Sequence, residues 1–337
     1  MQLHLTAAAD DDGRRLDRIL RKALEKMPLS AIHRLLRKGG IRVEGKSVPA
    51  SYRVRQGQTI TVSLTDPPRE TERNDESPAT GPPKKFAPAQ NCEGPALEIL
   101  YEGEGLLILN KPAGLLVHGR ESLDGLVQSY LKEKLPPSLS FRPGPLHRLD
   151  RPSSGLIVFS TSLEGARFFS AMMRGRKIKK QYLALVEGAI RETETWQDEL
   201  VRDKAIKKTY SQQLPSGGET KTAITTVTPI LRSATFTLIL AEIETGRTHQ
   251  IRSQAAGHGH PLLGDVKYGS FLSKLRPAPP LKLTGSKQSG GAFFLHAWRM
   301  ELPTPLPRLI EAPLPEEFQK KTDELFGVDS RYIYGKV

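Results

Sequence analysis

A carboxylate flanked by arginines is the first feature of this chain that could do chemistry. The stretch "HRLDRPSSG", residues 147–155, places Asp150 between Arg148 and Arg151. A carboxylate that an arginine keeps ionised can act as a nucleophile or as a general base. An aspartate beside arginines can equally form a purely structural ion pair. The residue types alone leave both interpretations open.

Three other stretches combine glycine or proline turns with charged or aromatic side chains beside an apolar, strand-like segment. They are "NKPAGLLVHG" at 110–119, "KKQYLALVEG" at 179–188 and "GRTHQIRSQAAGHGHPLLGD" at 246–265. Loops and strand ends held by a rigid sheet commonly carry binding and catalytic groups. We therefore expect Tyr182 and the two arginines of a tight "GRTHQIR" turn to lie near Asp150.

Other catalytic patterns are missing from the sequence. It contains neither a GxSxG nucleophile elbow nor a phosphate-binding GxxxxGK[ST] loop. His258 and His260 flank Gly259, but with no cysteine nearby and no obvious third ligand they indicate an RNA or core contact more than a metal. The remaining histidines of the motifs, His118, His147 and His296, are predicted to pack or form hydrogen bonds.

The elements that must position these groups predict an α+β fold. Strands are indicated by "GLLILN", "SGLIVFS", "QYLALVEG", "AITTVTPIL", "FTLILAEIET" and "FLHAWRMEL". Helices are predicted at 122–135, at 163–174 and in the final "PEEFQKKTDELFG". Strands outnumber helices and do not alternate with them, which argues against a doubly wound parallel sheet.

The N-terminal segment concentrates positive charge. Between Arg14 and Arg55 there are 13 Lys and Arg against three acidic residues, and the whole chain carries +13. Helical spacing predicts an amphipathic helix near residues 16–24 and a second one with Ser30 as its N-cap, followed by short strands. Clustered basic residues favour a polyanionic partner, because phosphate contacts release counterions.

Residues 66–95 have seven prolines and no Ile, Leu, Val or Met, which predicts a flexible linker. We therefore predict domains at 14–65 and 96–330. The acidic start of the chain does not fit a signal peptide, and no apolar run is long enough to span a membrane. The single cysteine, Cys92, excludes an internal disulfide framework. The predicted location is cytoplasmic, without membrane contact.

Together these stretches resemble the RluA family of pseudouridine synthases. "HRLDRPSSGL" matches the family pattern HRLD-x-x-[ST]-[ST]-G-L, and "NKPAGLLVH", "KQYLALVEG" and "TGRTHQIR" with the later "GHPLLGD" and "KYG" match its other motifs in order. The basic segment resembles an S4 RNA-binding domain, and the chain is most similar to the RluC branch. The resemblance implies a catalytic domain built on a mixed, mostly antiparallel sheet.

The resemblance also implies roles for particular residues. Asp150 takes the position of the essential aspartate, and Arg247 that of the arginine paired with the aspartate. Tyr182 takes the position of the tyrosine that stacks on the target base, for which a role as a base is also open. Arg148 matches the arginine that fills the gap left by the flipped base. Pro152 departs from the residue common in relatives, without loss of a motif residue. Further RNA contacts are expected at His147, Lys180, Arg252, Arg18, Arg34, Arg37 and Lys38.

The activity implied by the resemblance is isomerisation of uridine to pseudouridine in 23S ribosomal RNA, by a monomer that needs no cofactor and no metal. Nothing is oxidised in this reaction and no group is exchanged with solvent. Two alternatives remain open, a synthase acting on transfer RNA and a non-catalytic ribosome-assembly factor. The presence of Asp150, Tyr182 and Arg247 argues against the second.

Overall fold

The computed structural model describes residues 2–63, 96–119, 121–135, 138–203, 208–210, 220–269 and 293–327. The chain divides into two compact units. The smaller comprises Met1–Glu93, Gly125–Gly144 and Thr161–Glu164, and the larger comprises Gly94–Asp124, Pro145–Ser160 and Gly165–Val337. The predicted linker at 66–95 lies entirely outside the described residues, and its structure stays a prediction.

The smaller unit contains a four-stranded antiparallel sheet and two helices. In chain order these are β1 (Gln2–Thr6), α1 (Leu16–Ala23), α2 (Leu29–Arg37), β2 (Ile41–Val43), β3 (Lys46–Ser47) and β4 (Thr59–Ser63). The strand order is β1-β4-β2-β3. Leu16, Ile19 and Leu20 of α1 and Ile32 of α2 are buried against strand residues such as Ile60, so the predicted apolar stripes face one core.

The predicted start of α2 is wrong. The helix begins at Leu29, with Pro28 in the N-cap position and no side-chain cap. Ser30 is therefore inside the first turn. Proline suits a helix start because its fixed φ and missing N–H cost nothing there, so Pro28 was the better signal. The helix ends at Arg37, and Gly39 follows it with a left-handed φ of 71°.

The larger unit is built on an eleven-stranded sheet. Its strands are β5 (Glu98–Gly103), β6 (Leu106–Lys111), β7 (Gly144–Pro145), β8 (Ser154–Ser160), β9 (Lys179–Glu187), β10 (Glu194–Asp203), β11 (Lys208–Tyr210), β12 (Thr220–Arg232), β13 (Phe236–Ile243), β14 (Leu295–Glu301) and β15 (Leu309–Glu311). The main order is β11-β10-β12-β13-β9-β14-β8-β6-β5, with β15 on β14 and β7 on β8.

Four helices accompany this sheet among the described residues. They are α3 (Leu123–Lys132), α4 (Leu163–Arg174), α5 (Gln250–Gly257) and α6 (Glu316–Phe326), and α3 and α4 each contain residues of both units. Strand pairs with a defined register are antiparallel except β8 with β14, which is parallel. The predicted α+β class with a mixed, mostly antiparallel sheet is confirmed.

The contact between β8 and β14 explains the glycine after the Asp150 loop. Gly155 has φ of 103°, and a Cβ there would overlap the carbonyl oxygen of Ala297 on β14. Beside it, the Ser154 hydroxyl lies 2.8 Å from His296 Nδ1, and His296 Nε2 lies 3.1 Å from the Ala312 carbonyl oxygen. The "SSG" turn is thus fixed to the neighbouring strand, and His296 is structural as predicted.

No helix within the described ranges is long and apolar enough to cross a membrane.

Candidate active site

Asp150 lies in the loop between β7 and β8, and its main chain is tied to the "NKPAG" turn. The Arg151 carbonyl accepts a hydrogen bond from Gly114 N at 2.7 Å, and Arg151 Nε donates to the Gly114 carbonyl at 2.9 Å. Ser153 N donates to the Asp150 carbonyl at 3.1 Å. These main-chain contacts hold the aspartate in a defined loop, with its side chain 14% exposed.

Lys111, at the end of β6, is hydrogen-bonded to this loop. It was not predicted as a site residue from the sequence. Its ammonium donates to the carbonyls of Pro112, Leu115 and Arg151 at 2.8, 2.9 and 3.2 Å, which links the two motifs. Burial lowers the pKa of Lys111 to about 7, against the raising effect of Asp150. A lysine at the end of an apolar strand, just before a proline turn, was the available signal.

Arg252 binds the Asp150 carboxylate. Its Nη1 donates to Asp150 Oδ2 at 2.7 Å, while Nε and Nη2 donate to the two oxygens of Asp265 at 2.7 and 2.9 Å. The Arg252 side chain is 7% exposed and that of Asp265 is 1% exposed. The guanidinium therefore fixes the direction of Asp150 and is itself fixed by a buried second carboxylate.

This arrangement corrects two expectations about the "GRTHQIR" stretch. Arg247, the expected partner of Asp150, donates from Nε to the Thr222 carbonyl at 3.0 Å. Arg252, the expected RNA contact, is buried between two carboxylates. The stretch is also not a tight turn throughout, because α5 begins at Gln250 and places Arg252 in its first turn. The helix turns Arg252 inward, and a buried guanidinium is not available to phosphates.

Tyr182 lies on β9 opposite Ala297 of β14 and packs against the buried cluster that includes Ala241 and Ile251. Burial raises the pKa of Tyr182 to about 12, and the charge of Asp150 acts in the same direction. The phenol is therefore protonated at neutral pH. It can stack and donate a hydrogen bond near Asp150, whereas proton removal by a tyrosinate is disfavoured.

The other expected RNA contacts of this unit differ in exposure. Arg148 is exposed. His147 is used internally: its Nε2 accepts a hydrogen bond from Val158 N at 3.1 Å and its ring stacks on Phe169. Burial and the charge of Lys180 lower the pKa of His147 to about 4, so the ring is neutral. Lys180 is itself buried, and desolvation lowers its pKa.

Basic residues of the smaller unit keep the exposure that RNA contact requires. Arg18 on α1, Arg34 and Arg37 on α2, and Lys38 just after α2 are all exposed.

The two late histidines have protein partners. His258 Nε2 lies 3.2 Å from Asp198 Oδ2 and the ring stacks on Trp196, while His260 Nδ1 lies 3.0 Å from the Glu187 carbonyl oxygen. In the part of the chain that the structure describes, no three His, Cys, Asp or Glu side chains are grouped so that they could hold a metal ion. Both histidines thus contact neighbouring protein groups at the edge of the unit, His258 from an exposed position.

The site is thus centred on one carboxylate held by an arginine, with a protonated tyrosine nearby and an exposed arginine two residues away, on a mostly antiparallel sheet. Such a site is suited to acid–base or nucleophilic chemistry at a carboxylate. A model of the family described as RNA pseudouridylate synthase matches residues 105–257.

Relatives that align along most of the chain indicate the same family. A protein named ribosomal large subunit pseudouridine synthase C from Vibrio vulnificus is 31% identical and covers 94% of this chain and 95% of its own length. Its namesake from Escherichia coli is 31% identical, with 94% of each chain covered. The chain belongs to the RNA pseudouridylate synthase family, which confirms the predicted family and isomerase class.

A solved structure supports the fold. Human RNA pseudouridylate synthase domain containing 1 aligns with a TM-score of 0.52 and 24% identity, over 68% of this chain and 87% of that chain.

Proposed function

We propose that this enzyme converts uridine to pseudouridine in large-subunit (23S) ribosomal RNA, with Asp150 as its catalytic residue. The observation that carries the proposal is the Asp150–Arg252 ion pair, which holds a carboxylate in one orientation beside Tyr182. The relatives named ribosomal large subunit pseudouridine synthase C support the choice of substrate.

The reaction requires three events at one nucleotide. The N-glycosidic bond between N1 of uracil and C1′ of the ribose breaks, the uracil turns over, and C5 of the ring bonds to C1′. The proton on C5 is then lost to solvent, and N1 takes up one proton. Atoms and electrons balance within the nucleotide. Asp150 acts as the nucleophile or as the base at the reacting nucleoside, and in both roles Arg252 holds the direction of its carboxylate.

The target base must leave the RNA stack to reach Asp150, which costs a few kcal/mol. Arg148 is exposed two residues before Asp150 and fills the vacated position in the stack. Tyr182 offers the extruded uracil a ring face, an interaction of about 1–3 kcal/mol in other base–aromatic contacts. Its raised pKa assigns the phenol to stacking and hydrogen bonding, and not to proton removal.

The smaller unit supplies RNA affinity in this proposal, as an S4-like module. Arg18, Arg34, Arg37 and Lys38 contact phosphates, which position the enzyme without reading sequence. The enzyme works as a monomer in the cytoplasm, where ribosomal RNA is its partner.

The test is chemical mapping of pseudouridine in ribosomal and transfer RNA from cells that lack the gene and are complemented with variants. Asp150→Asn keeps the side-chain volume and removes the charge, so we expect unchanged RNA affinity in vitro and no pseudouridine at the affected ribosomal sites. The control is Asp12→Asn, which removes an exposed carboxylate of the smaller unit and should restore modification.

Two results would overturn the proposal. One is appreciable turnover by Asp150→Asn, which would remove Asp150 from the chemistry. The other is loss of modification only in transfer RNA, which would change the substrate.

A further inference from the structure

We propose that His249 is a positioning residue that holds Asp150 Oδ1 through its Nε2–H, and that a hydrogen bond from the Tyr268 hydroxyl to Nδ1 supports this tautomer. The inference deepens the proposed function and rests on it for its catalytic meaning. His249 lies in the "THQIR" stretch, and no role was predicted for it from the sequence.

The two oxygens of Asp150 have different neighbours. Arg252 Nη1 is 2.7 Å from Oδ2, and His249 Nε2 is 3.6 Å from Oδ1. The His249 side chain is 14% exposed, as is that of Asp150. Contacts of this kind are often long before substrate binds and shorten in the complex.

The other ring nitrogen of His249 meets a hydroxyl. Nδ1 lies 2.9 Å from the Tyr268 hydroxyl oxygen, and that oxygen also accepts a hydrogen bond from Thr209 N at 2.9 Å. The negative charge of Asp150 requires a proton on Nε2, because two lone pairs would otherwise face each other. Nδ1 is then an acceptor, and the Tyr268 O–H donates to it.

The imidazole is neutral in this arrangement. Burial lowers the pKa of His249 to about 4; Asp150 raises it, and the charges of Arg252, Lys267 and Arg148 lower it further. A neutral ring carries one N–H, so the choice between Nδ1 and Nε2 decides whether Asp150 receives a hydrogen bond at all.

The backbone of His249 is held in an unusual conformation. Its φ of 55° and ψ of 29° are left-handed, which is unfavourable for a residue with a Cβ. Gln250 stabilises the turn, because its Oε1 accepts hydrogen bonds from Thr245 Oγ1 at 2.8 Å and from Arg247 N at 3.0 Å. The turn places the imidazole between Tyr268 and Asp150.

The asymmetry assigns different tasks to the two carboxylate oxygens. A short hydrogen bond from a guanidinium withdraws charge from Oδ2, whereas a longer one from a neutral imidazole leaves more charge on Oδ1. Oδ1 is therefore the oxygen that acts on the substrate, and His249 sets its direction.

The first experiment does not depend on activity. The ¹⁵N shifts of His249 in the full-length protein at neutral pH distinguish the two neutral tautomers from the charged ring. We expect the Nε2–H tautomer, and in Tyr268→Phe a shift of population toward Nδ1–H. An Nδ1–H or a charged ring in the wild-type protein would overturn the inference, even if the enzyme modifies ribosomal RNA as proposed.

The second experiment compares a substitution that can keep the hydrogen bond to Asp150 with one that suits the left-handed backbone. His249→Gln can place an amide N–H near the position of Nε2, and His249→Asn tolerates the left-handed backbone better but cannot reach Asp150. A positioning role predicts a loss in single-turnover rate of about 100-fold for Asn and a clearly smaller loss for Gln, at unchanged RNA Kd. A purely structural role predicts the reverse order and would contradict the inference.

Discussion

At the scale of single residues, the arginine that binds Asp150 is not the one that the sequence pattern predicted. Arg247 and Arg252 lie five positions apart in one motif, and the resemblance assigned the partner of Asp150 to Arg247. The observed partner is Arg252, because α5 begins between them and directs Arg252 toward the buried Asp265. Helix onset, which periodicity did not reveal, decides the pairing.

Replacement of each arginine by lysine tests this assignment. Arg252→Lys keeps the charge but cannot hold both Asp150 and Asp265, because an ammonium lacks the planar fork of a guanidinium. We expect kcat to fall about 100-fold, since small misplacements of a catalytic group have effects of this size, with little change in RNA Kd. Single-turnover kinetics with a ribosomal RNA fragment measure the effect.

Arg247→Lys is the matched control. Its kcat should fall much less, because the observed hydrogen bond of Arg247 goes to a main-chain carbonyl. If Arg247→Lys proved the more damaging of the two, the pairing seen in the structure would not be the one used in catalysis.

At the scale of elements, a buried carboxylate joins distant parts of the smaller unit. Asp11 is fully buried and accepts hydrogen bonds from Ala8 N at 3.0 Å, Leu139 N at 3.0 Å, Ser138 Oγ at 3.1 Å and the Ser140 hydroxyl. Leu139 also packs against the core of this unit. Residues 138–140 are thus attached to elements of this unit that precede residue 64.

We expect Asp11→Ala to destabilise the smaller unit by about 2–4 kcal/mol, because it leaves several buried donors without an acceptor. Hydrogen–deuterium exchange should then accelerate by about 30- to 1000-fold in peptides from β1 and from residues 138–141 that open with the unit. Asp12→Ala is the control, since Asp12 is exposed and accepts one backbone hydrogen bond, from Gln56. Equal exchange rates in the two variants would show that Asp11 does not stabilise the attachment of residues 138–140.

The sequence predicted most strands and helices of both units, because their apolar residues recur with the period of the element. It missed α5 and six strands, which are β1, β5, β7, β10, β11 and β15. In α5 the buried residues include Gln250, Ser253 and Gln254, which are satisfied by hydrogen bonds such as those from Gln254 Nε2 to Trp196 O and Asp198 Oδ2. A helix buried through polar contacts leaves no hydrophobic stripe to detect.

At the scale of the whole molecule, charge is the property most relevant to RNA. The net charge of +13 is concentrated in the first domain, and Arg34 and Arg37 are exposed at the end of α2. If they contact phosphates, neutralising both should weaken binding at low salt and reduce the slope of log Kd against log salt by about 1.5, while kcat at saturating RNA is retained.

The control neutralises Lys320 and Lys321 of α6, which already pair with Glu316 and Glu324. A slope that changes equally in both double variants would argue against a specific role for the basic helices. Fluorescence anisotropy over a salt series with a labelled RNA provides the measurement.

The sequence by itself determined the family, the α+β class, the concentration of charge and Asp150 as the central carboxylate, because motif order and composition are properties of the chain. Only the tertiary structure decided that Arg252 binds Asp150, that His249 lies beside Asp150 and contacts Tyr268, and that residues 138–140 join the N-terminal core. These contacts join residues about 100 positions apart, or depend on where a polar helix begins, and both follow from the path of the backbone and from burial.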